Sequence, residues 1–217
     1  MKIKEKKLSI KEKLHRGHFL YFLYCYIYTR VMDWKIAKTS MDEFFCNDGE
    51  EIFPVQSVNY RILREMRKEI KIDPEDVFVD VGCGLGRLLG FLHLYGIKGR
   101  KSYGIEINKR ASQFAMKVFE NSDDVTIIYG DATITQIEDA TVYLLFNPFG
   151  ENVLNAFLDN LEKTAKKGTR IYYLNAVFER VFYQRKKTWL QVSRFEMKPK
   201  YHIPIVLCEY RFTGGIE

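Results

Sequence analysis

The chain has 217 residues, 47% of them hydrophobic and 29% charged, with a formal net charge of +6. This length and composition suit one α/β domain with a sizeable core and exclude a disordered chain, and no internal repeat argues for a solenoid. The charge is local: residues 1–16 hold seven Lys and Arg against Glu5 and Glu12, which leaves +1 of the +6 for everything after them.

That basic tail reads as a solvated, partly helical N-terminus, with attraction to RNA or to anionic lipid as the alternatives. Behind it comes "HFLYFLYCYIYTRVMDW". Its apolar core, Phe19 to Tyr28, is well short of the ~20 residues that span a bilayer, and no small-residue cleavage site follows. The segment reads as an aromatic helix packed on the domain, with peripheral membrane contact through residues 1–34 as the other reading. Residues 1–51 are therefore expected to form a basic and aromatic helical extension, and residues 52–217 the main domain. Cys25, Cys46, Cys83 and Cys208 are too widely spaced for a paired zinc pattern or a secreted disulfide framework, so no metal site and a cytoplasmic location are expected.

From residue 60 onward, strand and helix alternate. "DVFVDVG" (76–82) is a strand ending in Gly, followed by a helix over about 85–95; "KSYGIEI" (101–107) is a strand, and 108–122 is helical by the 3- and 4-residue spacing of its apolar positions. "VTIIYGDA" (125–132), "TVYLLFNPFG" (141–150) and "TRIYYLNA" (169–176) are further strands, and a helix between the last two stops at Gly168. This rhythm predicts a doubly wound, mostly parallel sheet covered on both faces. "WLQVSRFEM" (189–197) and "IPIVLCEYRF" (203–212) are separated too closely for a helix and predict an antiparallel hairpin at the sheet edge.

The most specific stretch is "VFVDVGCGLGR" (77–87). A strand ends in Asp80, then Gly82, Gly84 and Gly86 alternate before a helix, a pattern that lets backbone turn sharply and approach a ligand closely. A dinucleotide fingerprint would need Gly where the chain has Arg87, and a P-loop would need a Lys-Ser/Thr step, which is absent. Glu106 ends the second strand 24 residues after Gly82, within range of a ribose, and Asp131 ends the third. Each acid alone is as readily a turn or capping residue; together, at the carboxyl ends of consecutive strands, they outline a ligand site.

The D-x-G-x-G-x-G pattern resembles motif I of class I S-adenosylmethionine-dependent methyltransferases, over about residues 52–212. The resemblance implies a seven-stranded sheet with an antiparallel last strand, and S-adenosylmethionine as cofactor. Asp80 would lie near the methionine amino group, Gly82, Cys83, Gly84 and Gly86 would wrap the cofactor, Glu106 with Ile107 would hold the ribose, and Asp131 with Ala132 the adenine. "FNPFG" at the fourth strand end partly matches the Asn-Pro-Pro-aromatic motif of amine methyltransferases, departing from it at Phe149 and Gly150. It is closer to the Asn-Asn-Phe of Dot1-like lysine methyltransferases, which also carry an upstream segment over the cofactor; "FPVQSVNYRILREM" (53–66), with Pro54, Gln56 and Tyr60, is the corresponding stretch. Together with "LLFNPFGENVLNAFL", these stretches resemble a group of small bacterial methyltransferases of unassigned substrate.

By that resemblance Asn147, Pro148 and Phe149 place the methyl acceptor, with Asn147 also beside the cofactor, and the acceptor is an amine nitrogen of a small molecule or a protein lysine. O-methylation is less well supported: there is no acid cluster at strand four, and His15, His18, His93 and His202 are poorly placed as a base. RNA as acceptor stays open through Lys163, Lys166, Lys167, Arg170 and Arg185 to Lys187, although lysines at helix ends are ordinary dipole partners. A cofactor-fold binding module without activity is the remaining alternative.

Overall fold

The structure is a computed structural model and describes residues 18–42, 44–45, 54–198 and 204–214. The basic tail with His15, as well as Cys46 and His202, lies outside the described residues. The chain divides between Ser40 and Met41 into two compact units, ahead of the boundary expected between 51 and 52.

The first unit contains helix α1, His18–Ala37. Apolar and aromatic side chains run round its whole circumference, and Leu20, Phe22, Tyr24, Tyr26, Ile27 and Trp34 are exposed. Tyr24 and Tyr28, one turn apart, stack at 5.9 Å. Among the described residues no helix is long and apolar enough to cross a membrane.

The second unit opens with a two-residue ribbon, β1 (Phe44–Phe45) paired antiparallel with β2 (Val55–Gln56), and helix α2 (Tyr60–Met66), which Asn59 caps by accepting from Arg61 N–H at 2.9 Å. There follow β3 (Val77–Val81), α3 (Arg87–Leu94), β4 (Lys101–Glu106), α4 (Lys109–Val118), β5 (Val125–Tyr129), β6 (Val142–Phe146), α5 (Glu151–Leu161), β7 (Arg170–Leu174), α6 (Arg180–Gln184), β8 (Trp189–Met197) and β9 (Ile205–Phe212). The seven strands from β3 onward form one sheet in the order β5-β4-β3-β6-β7-β9-β8. β3 to β7 run parallel and β9 is antiparallel to both its neighbours, as expected for the last strand. The hairpin does not end on β9: the final strand slots inside and leaves β8 as the edge.

β3 is buried at all five positions because helices cover both faces of the sheet there, which is why it reads as an unbroken apolar run around Asp80. Val79, Leu145, Phe157, Tyr173, Trp189 and Tyr210 belong to the main core on one face. From β3 the chain winds outward through β4 and β5, then returns to lay β6 on the other side of β3. That reversal opens a crevice beyond the carboxyl ends of β3 and β6, where open α/β sheets bind ligands. Register pairs Val81 with Leu145, so Gly82 and Asn147 leave the sheet side by side.

The opposite edge is closed by ion pairs. Asp76, just before β3, accepts from Asp73 N–H and Thr141 O–H, both at 2.7 Å, and from Arg170 at the start of β7. Arg170 also donates to Lys71 O at 2.9 Å.

Candidate active site

Three glycines turn the chain out of β3. Gly82, Gly84 and Gly86 have φ of +73°, +55° and +79°, a region where side chains are strained. At Gly82 space is also lacking, since a Cβ would meet Pro148 Cβ at 2.6 Å. Gly82 N–H and Cys83 N–H donate back to Ile105 O at 2.8 and 3.0 Å, tying the loop to β4. Gly86 caps α3 and faces Phe119, which a Cβ would meet at 2.6 Å.

Beyond the loop lies a cleft of about 910 Å³, measured to its open mouth. Asp80, Gly82, Cys83, Gly84, Glu106, Ile107, Asp131, Ala132, Asn147, Pro148 and Phe149 all line it. Gly86 lies outside the lining; its requirement for Gly comes from its backbone and from Phe119. From the upstream segment Pro54 and Gln56 line the cleft, whereas Tyr60 is buried against Phe91, ring centroids 5.8 Å apart.

The acids differ in their state. Asp80 is 3% exposed and its Oδ2 is buried with no hydrogen-bond partner. Burial, then the neighbouring Glu106, pushes its pKa up to about 8. A buried carboxyl with an unmatched oxygen is a place for a cationic ligand group. Glu106 is also raised by burial, partly offset by hydrogen bonds from backbone N–H groups. Gly84 N–H reaches Oε2 at 2.8 Å and Asn108 N–H reaches Oε1 at 2.7 Å, and Ile107 N–H also bears on the carboxylate, which still leaves it acceptor capacity for a ligand hydroxyl. Asp131 is partly committed to its own turn, where Oδ1 accepts from Thr133 N–H and O–H, both at 2.8 Å. Cys83 is buried and its thiol is held well above its ordinary pKa, first by burial and then by Asp80 and Glu106, so it is a packing residue and not a nucleophile.

At the end of β6, Asn147 takes a left-handed backbone, φ 43°, a conformation that Asn tolerates better than most residues. Its Oδ1 accepts from Tyr173 O–H at 3.1 Å, and Phe178 N–H donates to the same Tyr oxygen at 3.4 Å. Tyr173 comes from β7 and had no signal in the sequence beyond its place in an apolar strand. Phe149 is 7% exposed and packs on Phe157 at 5.8 Å, so this wall of the cleft is part of the core. Phe146 and Val153 extend the same apolar wall.

The cleft's donor set fits S-adenosylmethionine: an unmatched buried carboxylate for the ammonium, a second acid with free lone pairs for ribose hydroxyls, and glycine backbone with no side chain in the way.

A family model described as histone methylation protein DOT1 matches residues 56–198. A protein-lysine N-methyltransferase of Saccharolobus islandicus (strain REY15A) is 29% identical over 114 residues, covering 51% of this chain and 69% of that protein. The H3 lysine-79 specific histone-lysine N-methyltransferase of Caenorhabditis elegans is 47% identical over 47 residues, which are 22% of this chain and only 5% of that protein. Among solved structures, an RNA methyltransferase from Salinibacter ruber in complex with S-adenosyl-L-homocysteine superposes with a TM-score of 0.55 at 19% identity, covering 75% of this chain and 97% of that one. At that identity the likeness is one of fold.

Proposed function

The chain belongs to the DOT1 family of histone methylation proteins and is an S-adenosylmethionine-dependent methyltransferase, and from that premise we propose that its acceptor is an amine nitrogen, first of all a protein lysine, presented at Asn147, Pro148 and Phe149. The observation that carries this reading is the neutral character of the acceptor wall. The end of β6 offers an amide oxygen already oriented by Tyr173, beside apolar Phe146, Pro148, Phe149 and Val153, and no histidine is among the described residues lining the cleft.

When bound, the cofactor supplies an electrophilic methyl carbon on a sulfonium. The chain's own residues do the rest by placement. Asp80 holds the ammonium end, Glu106 the ribose, and Asp131 with Ala132 the adenine side. Asn147 Oδ1 has a second lone pair that can accept from the acceptor N–H and so turn the nitrogen lone pair inward, and such orientation supplies much of a displacement's rate. An alcohol would need a base to take its proton, and Asp80, whose pKa burial pushes up to about 8, is committed to the ammonium. An amine needs only to lose its charge, which an apolar wall favours.

The archaeal relative, named for protein lysine, supports lysine over a small amine. RNA is less well supported. Lys163, Lys166 and Lys167 follow α5 and precede β7, and Arg185 to Lys187 precede β8, whose Trp189 pairs with Phe212 near the start of β7. Both clusters thus sit at the sheet edge away from the cleft, and Arg170 and Arg185 are held in ion pairs with Asp76 and Asp159. Peripheral membrane contact through residues 1–34 is supported by the exposed aromatic side chains of α1, and a cytoplasmic location by the free thiols of Cys25, Cys83 and Cys208.

The test supplies S-adenosylmethionine with a deuterated methyl group to separate pools of protein, RNA and small amines, followed by mass spectrometry. Labelled N-methyl-lysine in protein is the expected product; label confined to RNA would sink the proposal.

A further inference from the structure

Position 160 is an unfavourable place for an amide. It lies in the last turn of α5 on the face that the helix buries, with Phe157, Leu158 and Leu161, and Asn160 itself is 6% exposed. An apolar residue would suit that face better, since Asn is a poorer helix former than Leu and a buried amide is tolerated only with its hydrogen bonds made. Those bonds all go to one loop. Nδ2 donates to Thr135 O at 3.1 Å and to Ala132 O at 3.5 Å, and Oδ1 accepts from Gln136 Nε2 at 3.2 Å. The set assigns the amide, because turned over it would bring its oxygen against two carbonyl oxygens.

The loop so held follows β5 at the adenine side of the cleft. It winds back on Asp131: Thr135 N–H and O–H donate to Asp131 O at 2.9 and 2.7 Å, while Thr133 N–H and O–H hold Asp131 Oδ1. Gly130 lets the turn close, because a Cβ there would meet Thr135 Oγ1 at 2.9 Å. Among the described residues no donor reaches Asp131 Oδ2, so this oxygen is left for a ligand N–H. These bonds set the carboxylate within the loop but not the loop within the cleft. Ala132 and Ile137 pack in the main core, yet apolar contacts are non-directional. Asn160 supplies the directional tie, from a helix whose Leu154, Phe157 and Leu158 lie in that same core.

We propose that Asn160 is a positioning residue for adenine selectivity: by holding Ala132 O and Thr135 O from behind, it keeps Asp131 Oδ2 where a purine 6-amino group donates to it and a 6-oxo group is repelled. The inference rests on Asp131 with Ala132 as the adenine side of the cleft. Asn160 does not line the cleft, so its effect runs through the loop.

The test is calorimetric binding of S-adenosyl-L-homocysteine and of its 6-oxo analogue, S-inosyl-L-homocysteine, to the full chain. Wild type should prefer the amino form by about tenfold, the scale of one hydrogen bond to a charged acceptor. Asn160→Leu keeps the branched outline of the side chain and removes its donors. It should weaken S-adenosyl-L-homocysteine by about tenfold and the 6-oxo analogue by less than about twofold, which brings the preference close to one. A role confined to stability would lower the melting temperature and leave the preference of the folded protein intact. Gln136→Ala, at an exposed position, loosens the amide from one side only and should cut the preference about threefold. A preference unchanged in Asn160→Leu, or in Gln136→Ala should the first variant fail to fold, overturns the role of Asn160 and leaves the adenine reading standing. A wild type that binds both ligands equally overturns that reading too, and one that binds neither overturns the cofactor cleft as well.

Discussion

The two edges of the central sheet are built from the same residue types and arranged in opposite ways. At the amino edge of the parallel strands the charges are matched: Arg170 meets Asp76 and Asp73, Asp76 also receives Thr141, Lys166 meets Asp139, and Arg185 meets Asp159 and Glu162. At the carboxyl edge Asp80 is buried with an unmatched oxygen, Glu106 is desolvated beside it, and Gly82, Gly84, Asn147 and Asn175 all take positive φ. One edge pairs its charges to hold strands together; the other leaves a buried carboxyl oxygen unmatched, which a fold tolerates where a ligand completes the site. The difference locates function without reference to any motif.

The sharpest way to break that contrast is a pair of substitutions, one at each edge. Asn147→Ala should lower kcat by about 10²- to 10³-fold, the scale lost when a positioning group is removed, with S-adenosylhomocysteine affinity within about twofold by calorimetry. Turnover close to wild type would remove Asn147 from the acceptor site. Asp76→Ala should do the reverse. It strands Arg170, 13% exposed, and frees Thr141, at a cost of about 3 kcal/mol in urea unfolding, while kcat per folded molecule is unchanged. A large loss of kcat from Asp76→Ala would show that the two edges are coupled and the division is false.

What sequence makes legible follows from how local each feature is. The glycine loop, Glu106, Asp131 and Asn147 each mark a strand end and can be read in a window of a few residues. The last strand's antiparallel course follows from a hairpin with no room for a helix. Partners distant in the chain stay hidden: Tyr173 is 26 residues from Asn147, Arg87 is 45 from Asp42, and Arg170 is 94 from Asp76. α6, only five residues long, has too little periodicity to register. Gly86 illustrates the opposite error, because a motif names a glycine without saying whether ligand, backbone or a packed Phe119 demands it.

A smaller effect comes from pH. Folded, cofactor-free Asp80 titrates near 8, against an ordinary 3.8. The folded state therefore holds a proton that the unfolded state has released, and stability of the cofactor-free protein falls as pH rises from about 4 to about 8. A bound ammonium favours the carboxylate, so S-adenosylhomocysteine binding should release that proton and tighten as pH rises from 6 to 8, by at most about tenfold per unit. Asp80→Asn should flatten both trends and bind about tenfold more weakly at pH 8. A wild-type affinity that is level over this range would show that Asp80 is already ionised, and the carboxyl edge better matched than its geometry implies.

The smallest effect tests how Asn147 itself is held. Because Phe178 N–H already donates to the Tyr173 oxygen, the Tyr proton points to Asn147 and assigns Oδ1, not the amide nitrogen, to that side. Burial pushes Tyr173 up to about 12, so it remains a donor throughout the working range. Tyr173→Phe keeps the ring in the core and removes only that donor, leaving the amide free to rotate and present N–H groups toward an amine that needs an acceptor. One neutral hydrogen bond of about 1 kcal/mol corresponds to a fall in kcat of about fivefold, with KM for the cofactor and the shape of the pH profile from 7 to 10 unchanged. A profile that instead lost a basic limb would make Tyr173 a participant in proton removal. An unchanged kcat would mean that the left-handed backbone at residue 147 suffices to aim the side chain, and that the strain at this edge, not its hydrogen bonding, is what the acceptor site depends on.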